Sequence, residues 1–201
     1  MSTIDGCERD RACETGREAA WERGRENVSG AGLVLCLALA IGLLRFWRLG
    51  EWSLWIDEAL TWTDYYVGIE GGEIQNPLGY HLVHWTVGVF GGLPDEFTLR
   101  ILPAVAGFLA IPATAWAFRP LAGARASALA ALFVAASSWQ IYWSQNARFY
   151  TLAELVTLAG AGLYLRGFAR TSHVRAFAGL AVTAAAAAFH PSAALALAPL
   201  L

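Results

Sequence analysis

Ile101-Leu-Pro-Ala-Val-Ala-Gly-Phe-Leu-Ala-Ile-Pro-Ala-Thr-Ala-Trp-Ala-Phe118 carries no charge and is closed by Arg100 and Arg119. A helix needs about 20 mostly apolar residues to cross the hydrocarbon of a bilayer. This run meets that need, and the chain repeats it on either side. No charge occurs from Asn27 to Leu44 or from Ala126 to Ala147, and Phe149 to Leu165 holds only Glu154. Ala176 to Leu201 is charge-free and Ala-rich, interrupted by His190-Pro191. The reading is an all-α polytopic membrane protein. It predicts about five transmembrane helices, near 29–49, 101–118, 126–143, 150–165 and 176–190. Two interfacial helices are expected in a first outer loop over 50–100.

Composition agrees. Hydrophobic residues are 57% of the chain and charged residues 15%, with a mean hydropathy of +0.46. All 14 basic residues are Arg, and a net charge of −2 speaks against a nucleic-acid partner. Cys7, Cys13 and Cys36 have no metal-ligand spacing and read as inert thiols in a reducing compartment. Residues 1–27 hold seven acids and five Arg with little to bury, so they read as a solvated, disordered cytoplasmic tail. A cleaved signal is not expected, because the head is long and acidic and the first apolar run ends in Arg45-Phe46-Trp47-Arg48.

Arg placement sets the orientation. With the tail inside, ten Arg are cytoplasmic and only Arg45, Arg48, Arg100 and Arg148 lie at the outer side. Trp47, Trp52, Trp55, Trp62, Trp85, Trp139 and Trp143 then fall on the outer interface, and Trp116 near the inner one. The expected location is the plasma membrane. Asp57-Glu58, the 76–84 stretch, Ser144–Tyr150 and His190 converge on its extracytoplasmic face.

Asp57 and Glu58 are adjacent carboxylates inside Glu51-Trp52-Ser53-Leu54-Trp55-Ile56-Asp57-Glu58-Ala59-Leu60. Acids at the depth of headgroup-seeking Trp can act on a substrate that is half lipid. They also fit the first turn of an interfacial helix, where the helix dipole favours negative charge. Asp57 to Gly68 and Leu78 to Phe90 read as the two helices lying flat. Arg148 fits a phosphate partner or an interfacial anchor. His84 fits a packed imidazole more readily than a ligand, and His190 fits a helix end as well as a site position. Glu154 lies about one turn inside a span, where an acid is costly.

Four stretches resemble the membrane glycosyltransferases of the GT-C fold, in the branch of the dolichyl-phosphate-mannose protein mannosyltransferases and the lipid A aminoarabinose transferase. Leu54-Trp55-Ile56-Asp57-Glu58-Ala59 is similar to that family's first-loop acidic motif. Asn76-Pro77-Leu78-Gly79-Tyr80, with His84 and Phe90-Gly91, resembles its Pro-Pro-Leu-Tyr-Tyr helix. Glu96-Phe97-Thr98-Leu99-Arg100-Ile101-Leu102-Pro103 resembles the entry to its second span, and Ser144-Gln145-Asn146-Ala147-Arg148-Phe149-Tyr150 its Ser-Gln-Glu-Ala-Arg-Met-Tyr motif. The likeness covers roughly residues 31–201, in order and at fitting spacings.

The resemblance implies sugar transfer from a polyprenyl-phosphate donor to an extracytoplasmic acceptor, whether protein, lipid or glycan. It makes Asp57 the general base. Glu58 would orient the acceptor or help Asp57 hold a divalent cation, Mg or Mn. Arg148 would pair with the donor phosphate. His84, Gln145, Tyr150 and His190 are further substrate-binding candidates. The chain departs from the pattern at Asn146, which replaces an acid, and at Asn76 and Gly79. Family members are longer, so the chain reads as an N-terminal portion of such an enzyme. Two other classes stay open: a non-catalytic membrane module that binds a lipid-linked sugar or a partner subunit, and a small transporter using Glu154.

Overall fold

The computed structural model describes residues 30–67 and 77–200. The tail expectation for 1–27 and the departure at Asn76 lie outside the described residues. Helix dominates, and no strand occurs among the described residues. The helices are α1 (Gly30–Phe46, ending in a 3-10 turn over Leu43–Phe46), α2 (Ile56–Val67), α3 (Pro77–Val89) and α4 (Glu96–Ala136). α5 (Ser138–Ser144), α6 (Tyr150–Ala169) and α7 (His173–Ala185) follow. A 3-10 turn, Ala186–Ala188, extends α7, and a 3-10 segment, Pro191–Leu200, comes last.

α4 starts at a capping box. The Asp95 carboxylate accepts the Thr98 N–H at 2.7 Å, and the Thr98 hydroxyl oxygen accepts the Asp95 N–H at 2.9 Å. The Thr98 N–H holds the Asp95 carboxyl below its ordinary pKa. α4 is not straight. Gly123 takes φ 75°, a left-handed conformation open to a residue without Cβ, and divides the helix into arms 96–122 and 124–136. The predicted turn between Arg119 and Arg125 is therefore present. The predicted span 126–143 is not one helix. Ser137, with ψ 118°, ends the second arm and caps α5, its hydroxyl accepting the Gln140 N–H. A serine side chain bonds locally to the backbone and so favours a cap over a helix interior.

Among the described residues only α4 and α6 are long and apolar enough to cross a membrane; α1 and the pieces of the final apolar run are shorter. The expected last span, 176–190, is α7 tightened into a 3-10 turn that ends at Ala188.

Contacts fix the relative directions. The Arg45 guanidinium, at the end of α1, donates to the carbonyls of Val134 and Ala135, while Gly30 lies beside the Arg125 side chain. The second arm of α4 thus runs with α1. The first arm runs against both, and Ala38, Ile111, Ala131 and Ala135 close the seam between them. α6 runs beside the first arm: the Thr151 hydroxyl donates to the Pro103 carbonyl at 2.9 Å, and Arg166 donates to the Trp116 carbonyl. α7 folds back on α6 so closely that a Cβ on Gly179 would sit 2.7 Å from the Gly160 carbonyl. Small residues permit this backbone approach. α3 lies over the head of the bundle, where Tyr80, Val83 and Val87 pack with Leu99, Phe149 and Leu152. Large apolar side chains such as Leu33, Phe133 and Phe177 face outward along the shafts, as lipid contact would require.

Candidate functional site

The head of the bundle gathers the predicted residues, but it separates Asp57 from Glu58. Glu58 is 1% exposed and Arg100 3%. The Arg100 Nε donates to Glu58 Oε1 at 2.7 Å and its Nη2 to Oε2 at 2.6 Å. The Ala147 N–H donates to Oε1 at 2.8 Å, and the Trp55 N–H reaches Oε2 at 3.3 Å. The remaining Arg100 donors go to the carbonyls of Leu49, Trp52 and Ser53. This is a two-pronged ion pair with every partner satisfied, the condition under which buried charges are tolerated.

Asp57 is half-buried at the start of α2. Among the described residues no donor engages its carboxylate. Its backbone carbonyl accepts from Arg148 Nη1 at 3.3 Å, and the same nitrogen lies 3.4 Å from the Thr61 hydroxyl. The two residues are 91 positions apart. Arg148 is also close enough to His190 to act on it electrostatically. The His190 ring lies 4.6 Å from that of Tyr150, which itself packs edge-on against Trp143 at 4.5 Å. Asp57, Arg148, Tyr150 and His190 therefore belong to one neighbourhood.

Gln145 and Asn146 have other tasks. The Gln145 amide donates to the carbonyls of Leu44 and Trp47, closing the end of α1. Asn146 accepts the Trp55 indole N–H and donates to the Tyr142 carbonyl. The position that carries an acid in the resembled motif thus anchors the first loop. His84 is half-buried on α3, one turn beyond Tyr80, whose ring meets Phe149 edge-on at 5.0 Å.

Two clefts adjoin the neighbourhood. One of about 440 Å³ is lined by Trp139, Gln140, Trp143, Tyr150, Thr151 and Glu154. A second of about 310 Å³ shares Tyr150 and Glu154 and reaches His190 and Ser192. Glu154 accepts from the Gln140 amide at 2.9 Å, with the buried Arg45 in its electrostatic reach. Asp57 does not line either cleft.

A cation held jointly by Asp57 and Glu58 does not fit this arrangement. Glu58 already accepts four N–H donors, and a metal ion would have to displace them. No group of three or more His, Cys, Asp or Glu side chains converges among the described residues. Sequence reading missed the tie from Arg100 to Glu58. The one available signal was Arg100 itself, a charge at the very edge of an apolar run. No family model, curated protein or solved structure matches the chain.

Proposed function

We propose that the chain belongs to a multi-pass plasma-membrane glycosyltransferase that uses a polyprenyl-phosphate sugar, with its N-terminus in the cytoplasm and its site on the extracytoplasmic face. The observation that carries this reading is the juxtaposition of Asp57 with Arg148. The Arg148 guanidinium, suited to phosphate, donates to the backbone carbonyl of Asp57, whose carboxylate has no donor among the described residues.

The chemistry needs both charges. The acceptor hydroxyl gives its proton to the Asp57 carboxylate as its oxygen attacks the anomeric carbon of the donor. The bond from that carbon to the phosphate oxygen breaks, and the polyprenyl phosphate leaves with an added negative charge. Arg148 stabilises that charge in a site partly shielded from water. His190, within electrostatic reach of the guanidinium, and Tyr150, beside His190, supply hydrogen-bonding groups for sugar or phosphate. Glu58 serves by holding the first loop, which fixes where Asp57 stands.

The test is Asp57→Asn in the full protein, reconstituted with a radiolabelled polyprenyl-phosphate sugar and source-membrane acceptors. Transfer should vanish while protease protection shows unchanged insertion. Transfer that persists at the wild-type rate removes Asp57 from the chemistry. A second reading, a binding module without turnover, draws on Asn146 and Glu58: two positions that carry acids in the resembled motifs are both spent on internal hydrogen bonds. Donor binding without transfer in the wild-type protein would select it.

A further inference from the structure

At the opposite end of the bundle, where α4 reverses at Gly123 and α6 turns into α7, the charge is of one sign. A cleft of about 320 Å³ opens there between α1 and the two arms of α4. Its inner walls are apolar, with Leu35 and Ala115 among them, and Trp116, Arg119 and Arg166 also line it. The Arg166 guanidinium lies 3.9 Å from the centroid of the Trp116 ring. It donates to the carbonyls of Gly162 and Trp116, and so is held in place. A guanidinium has five N–H donors, and these two bonds leave others available. Neither Arg119 nor Arg166 has an acidic partner among the described residues. The sequence explains why: no Asp or Glu occurs in 30–50 or 97–201 apart from Glu154, at the other end of α6.

We infer that this cleft binds the phosphate headgroup of an acidic phospholipid, with Arg119 and Arg166 on the phosphate and the start of an acyl chain along the apolar wall. Placing like charges around a concave site costs energy unless an anion joins them. Basic pockets between transmembrane helices suit anionic headgroups in this way. A tryptophan at the rim fits the boundary between headgroup and hydrocarbon. Arg119 stands on the first arm of α4 and Arg166 in the last turn of α6, two elements already packed along their length, so a bound phosphate would bridge them at this end as well. This inference does not rest on the transferase reading.

The full chain is placed in nanodiscs of phosphatidylcholine alone or with phosphatidylglycerol, and both thermal unfolding and lipid copies retained in native mass spectrometry are read. Phosphatidylglycerol should raise the unfolding temperature of the wild type and remain bound. R119Q/R166Q should lose that rise and bind the lipid about thirtyfold more weakly, as two headgroup contacts are removed. If R119Q/R166Q also unfolds early in phosphatidylcholine, R119K/R166K decides: restored lipid dependence supports the site, and none overturns it. An equal rise in wild type and R119Q/R166Q overturns it as well. So does stabilisation by soluble glycerol phosphate equal to that by the lipid, since the apolar wall would then be idle. A wild type indifferent to the acidic lipid, with E22Q/E26Q made responsive, would assign the cleft to the chain's own acidic tail and overturn it too.

Discussion

Arg100 and Glu58 form a buried ion pair, Nη2 to Oε2 at 2.6 Å, that ties the first turn of α2 to the start of α4. Removing one partner leaves the other charged and uncompensated, at a cost of about 3–5 kcal/mol. Arg100→Met is therefore expected to lower the unfolding temperature sharply in detergent. The paired change Glu58→Gln with Arg100→Met should recover part of the loss. A double-mutant cycle that returns no coupling energy would show the pair to be inert.

Arg148 donates to the Asp57 carbonyl through one nitrogen, and no other donor of its guanidinium has a partner among the described residues. Arg148→Gln should raise the KM for the polyprenyl-phosphate donor by about tenfold or more. Arg148→Lys should fall between, because an ammonium keeps the charge but loses the fork. Equal KM values across the three proteins would leave Arg148 as an interfacial anchor.

The α6–α7 hairpin depends on the closeness of its backbones. Gly160→Val would drive a side chain into Thr183 and the Gly179 carbonyl. The strain should cost about 1–3 kcal/mol. The expected readout is faster proteolysis at the turn near Ser172, measured on purified protein; a rate equal to wild type would contradict the packing.

Asp95 predicts a pH dependence of definite sign. Its folded pKa is depressed by the Thr98 N–H. The contribution is thus fully present above the carboxyl's unfolded value, about 3.9, and is lost as pH falls through the lower folded value. Thermal unfolding followed from neutral pH to about pH 3 should show an acid-side loss that Asp95→Asn reduces. Identical acid limbs in both proteins would detach the cap from stability. The effect is small, since Asp95 is exposed and its bonds compete with water.

Much of this architecture was legible from charge spacing alone. The run closed by Arg100 and Arg119 became the first arm of α4, and the Arg119–Arg125 interval holds the reversal at Gly123. The short helices after Trp55 and at Leu78 were placed within about a residue of their ends. The break at Ser137 was not foreseen, because an apolar run reads continuous whether or not a serine within it turns to cap its successor. The site divided in the same way. Adjacency brought Asp57 and Glu58 to notice together, yet their environments are set by Arg100, Ala147 and Arg148, all distant in sequence. Periodicity cannot report such partners. Asn146 shows the limit of motif reading: its position was recognised, but its bonds to Trp55 and Tyr142 follow only from the folded chain.

The Glu58 carboxylate also orders events in time. Its donors lie 42 and 89 residues further along the chain, at Arg100 and Ala147. Closing loops of that length costs entropy that is offset only once the intervening helices are in place. The first loop therefore cannot lock until α4 has doubled back and α5 has followed it. A ribosome that has released only the first hundred residues leaves Asp57 unplaced, and the site matures late in synthesis although its leading residue emerges early.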